Sequence, residues 1–186
     1  GQNPEKTILL MTHYDSAPNA PGAADDASGV AAILESVRAL KAQDTPLKNN
    51  VLILITDGEE RGLLGAQLFV DQFERLQQID LVLNFEARGT SGSSMMFETS
   101  SPNADLIPHF AKATPHPVAN SLMYTVYKLL PNDTDMSVTK RAVLKGLNFA
   151  FTKEYLNYHT MQDSPKNLSL ASLQHHGSNL LGNVRH

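Results

Sequence analysis

Apolar residues in this chain follow two spacings. Short continuous runs alternate with longer stretches in which apolar positions recur every three or four residues. Thr7 to Met11 (TILLM), Val51 to Ile55 (VLILI), Asp80 to Phe85 (DLVLNF) and Leu147 to Phe151 (LNFAF) have strand length and little polar alternation. Such runs predict strands buried on both faces. Ser94 to Phe97 predicts a further strand. Ser28 to Leu40 carries Val30, Ile33, Leu34, Val37 and Leu40, a helical stripe that Asp26 or Ser28 is placed to cap. Leu63 to Phe73, with Leu64, Leu68, Phe69 and Phe73, has the same spacing, and Pro102 to Lys112 and Ser169 to Val184 also read as helices. Ser121 to Leu130 fits helix or strand, and periodicity does not choose. Strands alternating with helices predict a three-layer α/β/α sandwich around a mainly parallel, mixed sheet.

Composition narrows the chemistry. The 186 residues suit a single α/β domain, long enough to bury about 70% of the unfolded surface. With 41% apolar and 18% charged residues, the chain is neither a disordered tail nor a fibre. Its apolar runs are too short to span a bilayer. A net charge of −4 without a Lys/Arg cluster argues against nucleic acid as a partner. No cysteine is present, which removes disulfides, cysteine nucleophiles and thiolate metal sites together. Any metal must be held by His, Asp and Glu. The chain opens on Gly1 rather than Met, read here as a processed or engineered boundary.

Polar groups collect where the apolar runs end. His13-Tyr14-Asp15 follows the first run, Asp57-Gly58-Glu59-Glu60 the second, and Glu86 closes the third. In open α/β sheets, ligands bind outside the carboxyl ends of the strands, so these side chains are positioned to converge. One such acid alone is ordinary loop polarity; the combination is not. Asp15, two residues past His13, would share its face in a strand and orient the imidazole. Asp25-Asp26 lies in a loop of small residues (GAADDASG), and His159 lies in YHTMQD ahead of Pro165.

These motifs resemble the co-catalytic zinc exopeptidases, a family that includes secreted bacterial aminopeptidases, glutamate carboxypeptidase II and the vacuolar and endoplasmic-reticulum membrane proteases. H-x-D, G-x-x-D-D-x-S-G, a strand ending in G-E-E, N-x-[DE]-x-x-G and Y-H-T-x-x-D occur in the family's order from about Thr7 to Leu181. The resemblance implies the zinc-peptidase (phosphorylase/hydrolase-like) fold and two Zn²⁺ ions per chain. His13 and Glu86 would hold one, Glu60 and His159 the other, with Asp25 bridging. Glu59 would be the general base and Tyr158 would donate to the developing oxyanion. Asp15 would fix the His13 tautomer, and Asp26 would shape the turn beside Asp25. The implied activity is hydrolysis of peptide or amino-acyl substrates, as an aminopeptidase. Glu86 stands where most relatives use Asp. Asn84-Phe85-Glu86-Ala87-Arg88-Gly89 and Pro131-Asn132-Asp133-Thr134-Asp135 look like the membrane-protease branch. Residues 1–186 are therefore expected to be one catalytic domain of a longer, membrane-attached parent, in an extracytoplasmic (periplasmic, secreted or lumenal) setting, with sheet strands before His13 missing or remodelled.

Other residues carry weaker signals. Arg88 suits either a substrate carboxylate or an ordinary ion pair. Asp133 suits a substrate pocket, although Asp133 and Asp135 also fit a helix N-terminus, and one of them is expected to cap it. Asp163 reads as a turn residue before Pro165 or as a partner of His159. His109, His116, His175, His176 and His186 lack partner motifs, and the His175-His176 pair is expected at the surface. Met95, Met96 and Phe97 are expected in the core. Two other functions share this scaffold: a single-zinc glutaminyl cyclase, which also carries D-G-E-E wording, and a non-catalytic peptidase-like binding domain.

Overall fold

The strand-length runs form the centre of the molecule. In the computed structural model, which describes residues 1–129 and 133–186, β1 (Asn3–His13), β2 (Asn49–Thr56), β3 (Ile79–Ala87), β4 (Met95–Thr99) and β5 (Gly146–Phe151) make one sheet. The order is β2-β1-β3-β5-β4. Among these described strands only the β4–β5 pairing is antiparallel, so the sheet is mixed but mainly parallel. Leu130, Pro131 and Asn132, which belong to the ambiguous 121–130 segment and to the P-N-D-T-D motif, lie outside the described residues.

Both faces of the sheet are covered, which is why the strands read as unbroken apolar runs. Ile8, Leu10, Leu81, Leu83, Phe85 and Phe149 pack against Ile33, Phe110, Leu180 and Val184 of α1 (Ala27–Lys41), α3 (Leu106–Ala113) and α6 (Leu170–Arg185). Leu9, Met11 and Val82 point the other way, toward Phe69 and Phe73 at α2 (Leu64–Gln72) and Met136 of α5 (Asp135–Arg141). Three layers result, as the pattern predicts.

Element details differ from the pattern for local reasons. Of the two candidate caps of α1, Asp26 is used: its side chain accepts from Gly29 N. The buried face of α1 is built from Gly29, Ala32, Ile33, Ser36 and Leu40, while Leu34 is exposed. Small residues there let the helix lie close to the sheet. A Cβ on Gly29 would collide with Thr12 Oγ1. α3 starts at Leu106 rather than Pro102 because residues 103–105 form a turn, closed by Leu106 N to Asn103 O at 3.1 Å. The ambiguous segment is helical as α4 (Ser121–Leu129), where Asn120 Oδ1 accepts from Leu122 N and gives the first turn a partner. α5 has no apolar period of its own in the sequence; Met136 and Val138 bury it.

The chain runs β1-α1-β2 outward, then returns through α2 to place β3 on the other side of β1. α1 and α2 therefore cover opposite faces, and the sheet's direction of growth reverses between β1 and β3. A crevice opens at the carboxyl end of such a pair.

Candidate metal centre

His13 ends β1 and Glu86 lies near the end of β3, side by side at this crevice. Asp25 reaches them from the loop before α1. His13 Nε2 is 3.3 Å from Asp25 Oδ1 and 3.5 Å from Glu86 Oε2. The other oxygen of Asp25, Oδ2, is 3.1 Å from His159 Nε2, which is 2.9 Å from Glu60 Oε1. Two groups of potential ligands result, His13–Asp25–Glu86 and Asp25–Glu60–His159, and they share Asp25.

His13 and the turns beside it are held from behind. The His13 Nδ1–H donates to the Asp15 backbone carbonyl at 2.9 Å; the Asp15 carboxylate is farther, at 3.4 Å. The expectation that Asp15 shares a strand face with His13 is thus corrected. β1 ends at His13, Asp15 lies past it, and the turn brings its carbonyl to the ring. The Asp15 carboxylate instead braces the turn after β2, where its two oxygens accept from Glu59 N and Glu60 N at 3.1 and 3.2 Å. Asp26 accepts from the Thr12 hydroxyl, His13 N and Gly29 N, tying α1 to β1. Asp25 and Asp26 are joined by a cis peptide bond.

Electrostatics set the chemistry. Burial alone would make His13 less basic, but Asp25 and Glu86 overcome it and hold the imidazole above its usual range. His159 is raised chiefly by its hydrogen bond to Asp25. Burial, reinforced by the negative charge of Glu86, pushes Glu59 up to about 10. Burial and Asp25 push Glu60 to about 7. The cluster thus gathers more acid than its two imidazoles can neutralise. Glu60 Oε1 is buried, with His159 Nε2 2.9 Å away. Two donor atoms this close, both also near Asp25, suit ligands of one cation. The donor set of imidazole and carboxylate, without thiolate, suits Zn²⁺.

A cavity of about 480 Å³ opens onto this cluster, lined by Glu59, Arg88, Phe97, Tyr127, Asp133 and Tyr158 among others. The Tyr158 ring stacks on His159, with centroids 3.7 Å apart, and the Arg88 guanidinium lies 5.4 Å from the Tyr158 centroid. Burial raises the Tyr158 hydroxyl above its usual range, so it stays a donor at neutral pH.

Several sequence expectations change here. Asp163 closes the expected turn, its N–H bonded to the Thr160 carbonyl at 3.0 Å, but its side chain is committed elsewhere than to His159. Its buried carboxylate accepts from Ala24 N at 2.7 Å and Asp25 N at 3.1 Å, clamping the loop that carries Asp25. His176 is not at the surface. It is fully buried, with Nδ1 2.6 Å from Ser94 Oγ and Nε2 3.0 Å from the Glu86 carbonyl, and burial lowers it to about 4. Neither Asp133 nor Asp135 is the N-cap of α5. Thr134 holds that position, Asp135 is buried in the first turn accepting from the Thr56 hydroxyl, and Asp133 faces the cavity. Met96 and Phe97 are buried as expected. Asn84 carries no chemistry in the motif pattern, yet it donates to Glu86 Oε1 at 3.0 Å. Its place two residues before Glu86, on the same strand face, was the available signal.

Fold and site together define an α/β/α domain with a paired imidazole–carboxylate centre at its switch point. The chain belongs to peptidase family M28, whose family model matches residues 1–184. It is 31% identical over 185 residues to endoplasmic reticulum metallopeptidase 1 of Mus musculus, covering 98% of this chain and 21% of the relative. To a vacuolar membrane protease of Candida dubliniensis it is 36% identical over 174 residues, 92% of this chain and 18% of the relative. The chain thus spans about a fifth of those proteins. Among solved structures, a zinc aminopeptidase from Bacillus subtilis superposes with a TM-score of 0.76 at 24% identity, over 96% of this chain and 45% of that one. A Bacteroides thetaiotaomicron glutaminyl cyclase superposes nearly as well, at 0.75 and 20% identity, over 98% of this chain and 74% of that one. These two likenesses establish the fold. No helix among the described residues is long and apolar enough to cross a membrane.

Proposed function

We propose that residues 1–186 are the catalytic domain of a zinc-dependent metallopeptidase that removes N-terminal residues from peptides. The observation that carries this reading is Asp25, whose two oxygens face two separate imidazole–carboxylate pairs. One zinc would be held by His13, Asp25 and Glu86, the other by Asp25, Glu60 and His159. When bound, such a metal pair lowers the pKa of water and polarises a carbonyl. Glu59 lines the same cavity; beside bound cations its carboxylate takes the proton of the attacking water before passing it to the leaving amine. The Tyr158 hydroxyl donates to the oxyanion that develops on the substrate carbonyl. Arg88 and Asp133, on the cavity wall, contact polar groups of the substrate. The name of the vacuolar membrane protease relative supports a membrane-attached parent, and we place the catalytic domain outside the cytosol as part of the same proposal.

A glutaminyl cyclase of this fold needs one zinc, and two ligand groups sharing Asp25 favour the peptidase. Elemental analysis of the purified domain is expected to give about two zinc ions per chain, as co-catalytic sites require. A value near one would turn the reading toward the cyclase. Replacing Glu59 with Gln is expected to keep both metals and to slow hydrolysis of amino-acyl substrates by about 10²–10⁴-fold. A Gln variant as fast as the parent would remove Glu59 as the base. A zinc-loaded parent inactive across a broad peptide panel would instead indicate a binding domain.

A further inference from the structure

A line of buried side chains runs sideways from Glu86 through the sheet. Asn84 of β3 lies in register with Asn148 of β5, and Asn148 with Glu98 of β4. Asn84 Nδ2 donates to both Glu86 Oε1 and Asn148 Oδ1, each at 3.0 Å. Asn148 Nδ2 donates to Glu98 Oε2 at 3.0 Å and to Thr134 Oγ1 at 2.9 Å. Glu98 Oε1 accepts from the Lys140 ammonium on α5. Asn84 and Asn148 are fully buried and Glu98 is 3% exposed, whereas the Lys140 side chain is 28% exposed.

The line has a direction. An ionised carboxylate only accepts, so Glu98 demands the NH₂ end of the Asn148 amide. That turns the Asn148 carbonyl toward Asn84, which must then present its own NH₂ group both ways. Glu86 therefore meets a donor at Oε1. Flipping either amide would set a carbonyl against a carboxylate in a buried site, where such a mismatch is costly. We propose that the Lys140–Glu98 pair, acting through Asn148 and Asn84, positions Glu86. It occupies Oε1 and leaves Oε2, 3.5 Å from His13 Nε2, free to hold the metal. This rests on the metal role given to Glu86 above. Asn84, Asn148, Glu98 and Lys140 are positioning residues; the ion pair at the far end of the line keeps the acceptor end fixed. The extra methylene of Glu86 relative to Asp makes such restraint useful, because a longer side chain has one more rotor to hold.

Successive metal affinities, measured by chelator competition on the purified domain and by the visible absorption of its cobalt(II)-loaded form, test this. Glu98→Gln keeps the shape of residue 98 but lets both amides flip. It is expected to weaken one of the two metals about 10- to 100-fold, the usual effect of losing an outer hydrogen-bond partner, and to change that site's cobalt absorption only. Lys140→Met, at the exposed end, is expected to act in the same direction if Glu98→Gln does not fold, and Lys140→Arg is expected to restore the parent affinity. The positioning proposal is overturned if Glu98→Gln and Lys140→Met hold both metals as the parent does while Glu86→Gln loses one. If Glu86→Gln also holds both metals, the ligand role of Glu86 fails, and the positioning role falls with it.

Discussion

At the scale of single residues, an acid outside the ligand cluster can still shape it. Asp163 illustrates this. It touches no ligand atom, yet it accepts two backbone N–H groups of the Asp25 loop from 138 and 139 positions away. Asp163→Ala leaves two buried donors without partners. It is expected to lower the unfolding free energy by about 1–3 kcal/mol in urea titration and to weaken metal uptake. An unchanged urea midpoint would show that water replaces the carboxylate. Periodicity and motifs suggest only a turn or a nearby histidine for Asp163, because its true partners are distant in sequence. His176 is hidden for the same reason: a polar pair in a helix reads as surface until Ser94 and the Glu86 carbonyl are seen against it.

At the scale of elements, the strands were legible because burial on both faces leaves an unbroken apolar signature, and α1 because its cap and stripe agree. α5 was not, since seven residues carry too little period, and the acids at its start suggested a cap that Thr134 occupies. The junction of α1 with β1 is a tight contact near the site. Gly29 lies against Thr12 Oγ1, and both it and Thr12 donate to Asp26. Gly29→Ala adds a methyl where none fits. It is expected to cost about 1–3 kcal/mol, read as a lower thermal midpoint, and to disturb the neighbouring Asp25. A midpoint equal to the parent's would mean that α1 shifts freely, against the packing described.

At the scale of the whole molecule, the switch point between β1 and β3 gathers Asp25, Asp26, Glu59, Glu60 and Glu86 around two imidazoles. Folding alone would not favour crowding so many carboxyl groups into one buried place. Cations that bind only the folded chain should therefore stabilise it. With zinc at about 100 times its dissociation constant, one site adds about 2.7 kcal/mol. Thermal unfolding with added zinc is expected to occur at a clearly higher temperature than with a chelator. Identical transitions in both would mean that these residues bind no metal in the folded state.

Taken alone, the amino-acid sequence determined the layers and the kinds of atom available for chemistry. Apolar runs specify strands buried on both faces, and the absence of cysteine confines any metal to oxygen and imidazole. The order of the motifs identified the candidate ligands. Only the tertiary structure decided which oxygen of Asp25 meets which histidine, that the carbonyl of Asp15 rather than its carboxylate lies nearest His13, and that Asn84, Asn148, Glu98 and Lys140 form one line behind Glu86. The physical reason is that strand burial is written locally, in neighbouring side chains. Ligand geometry instead comes from loops and strands that the sheet order brings together across more than a hundred residues of chain.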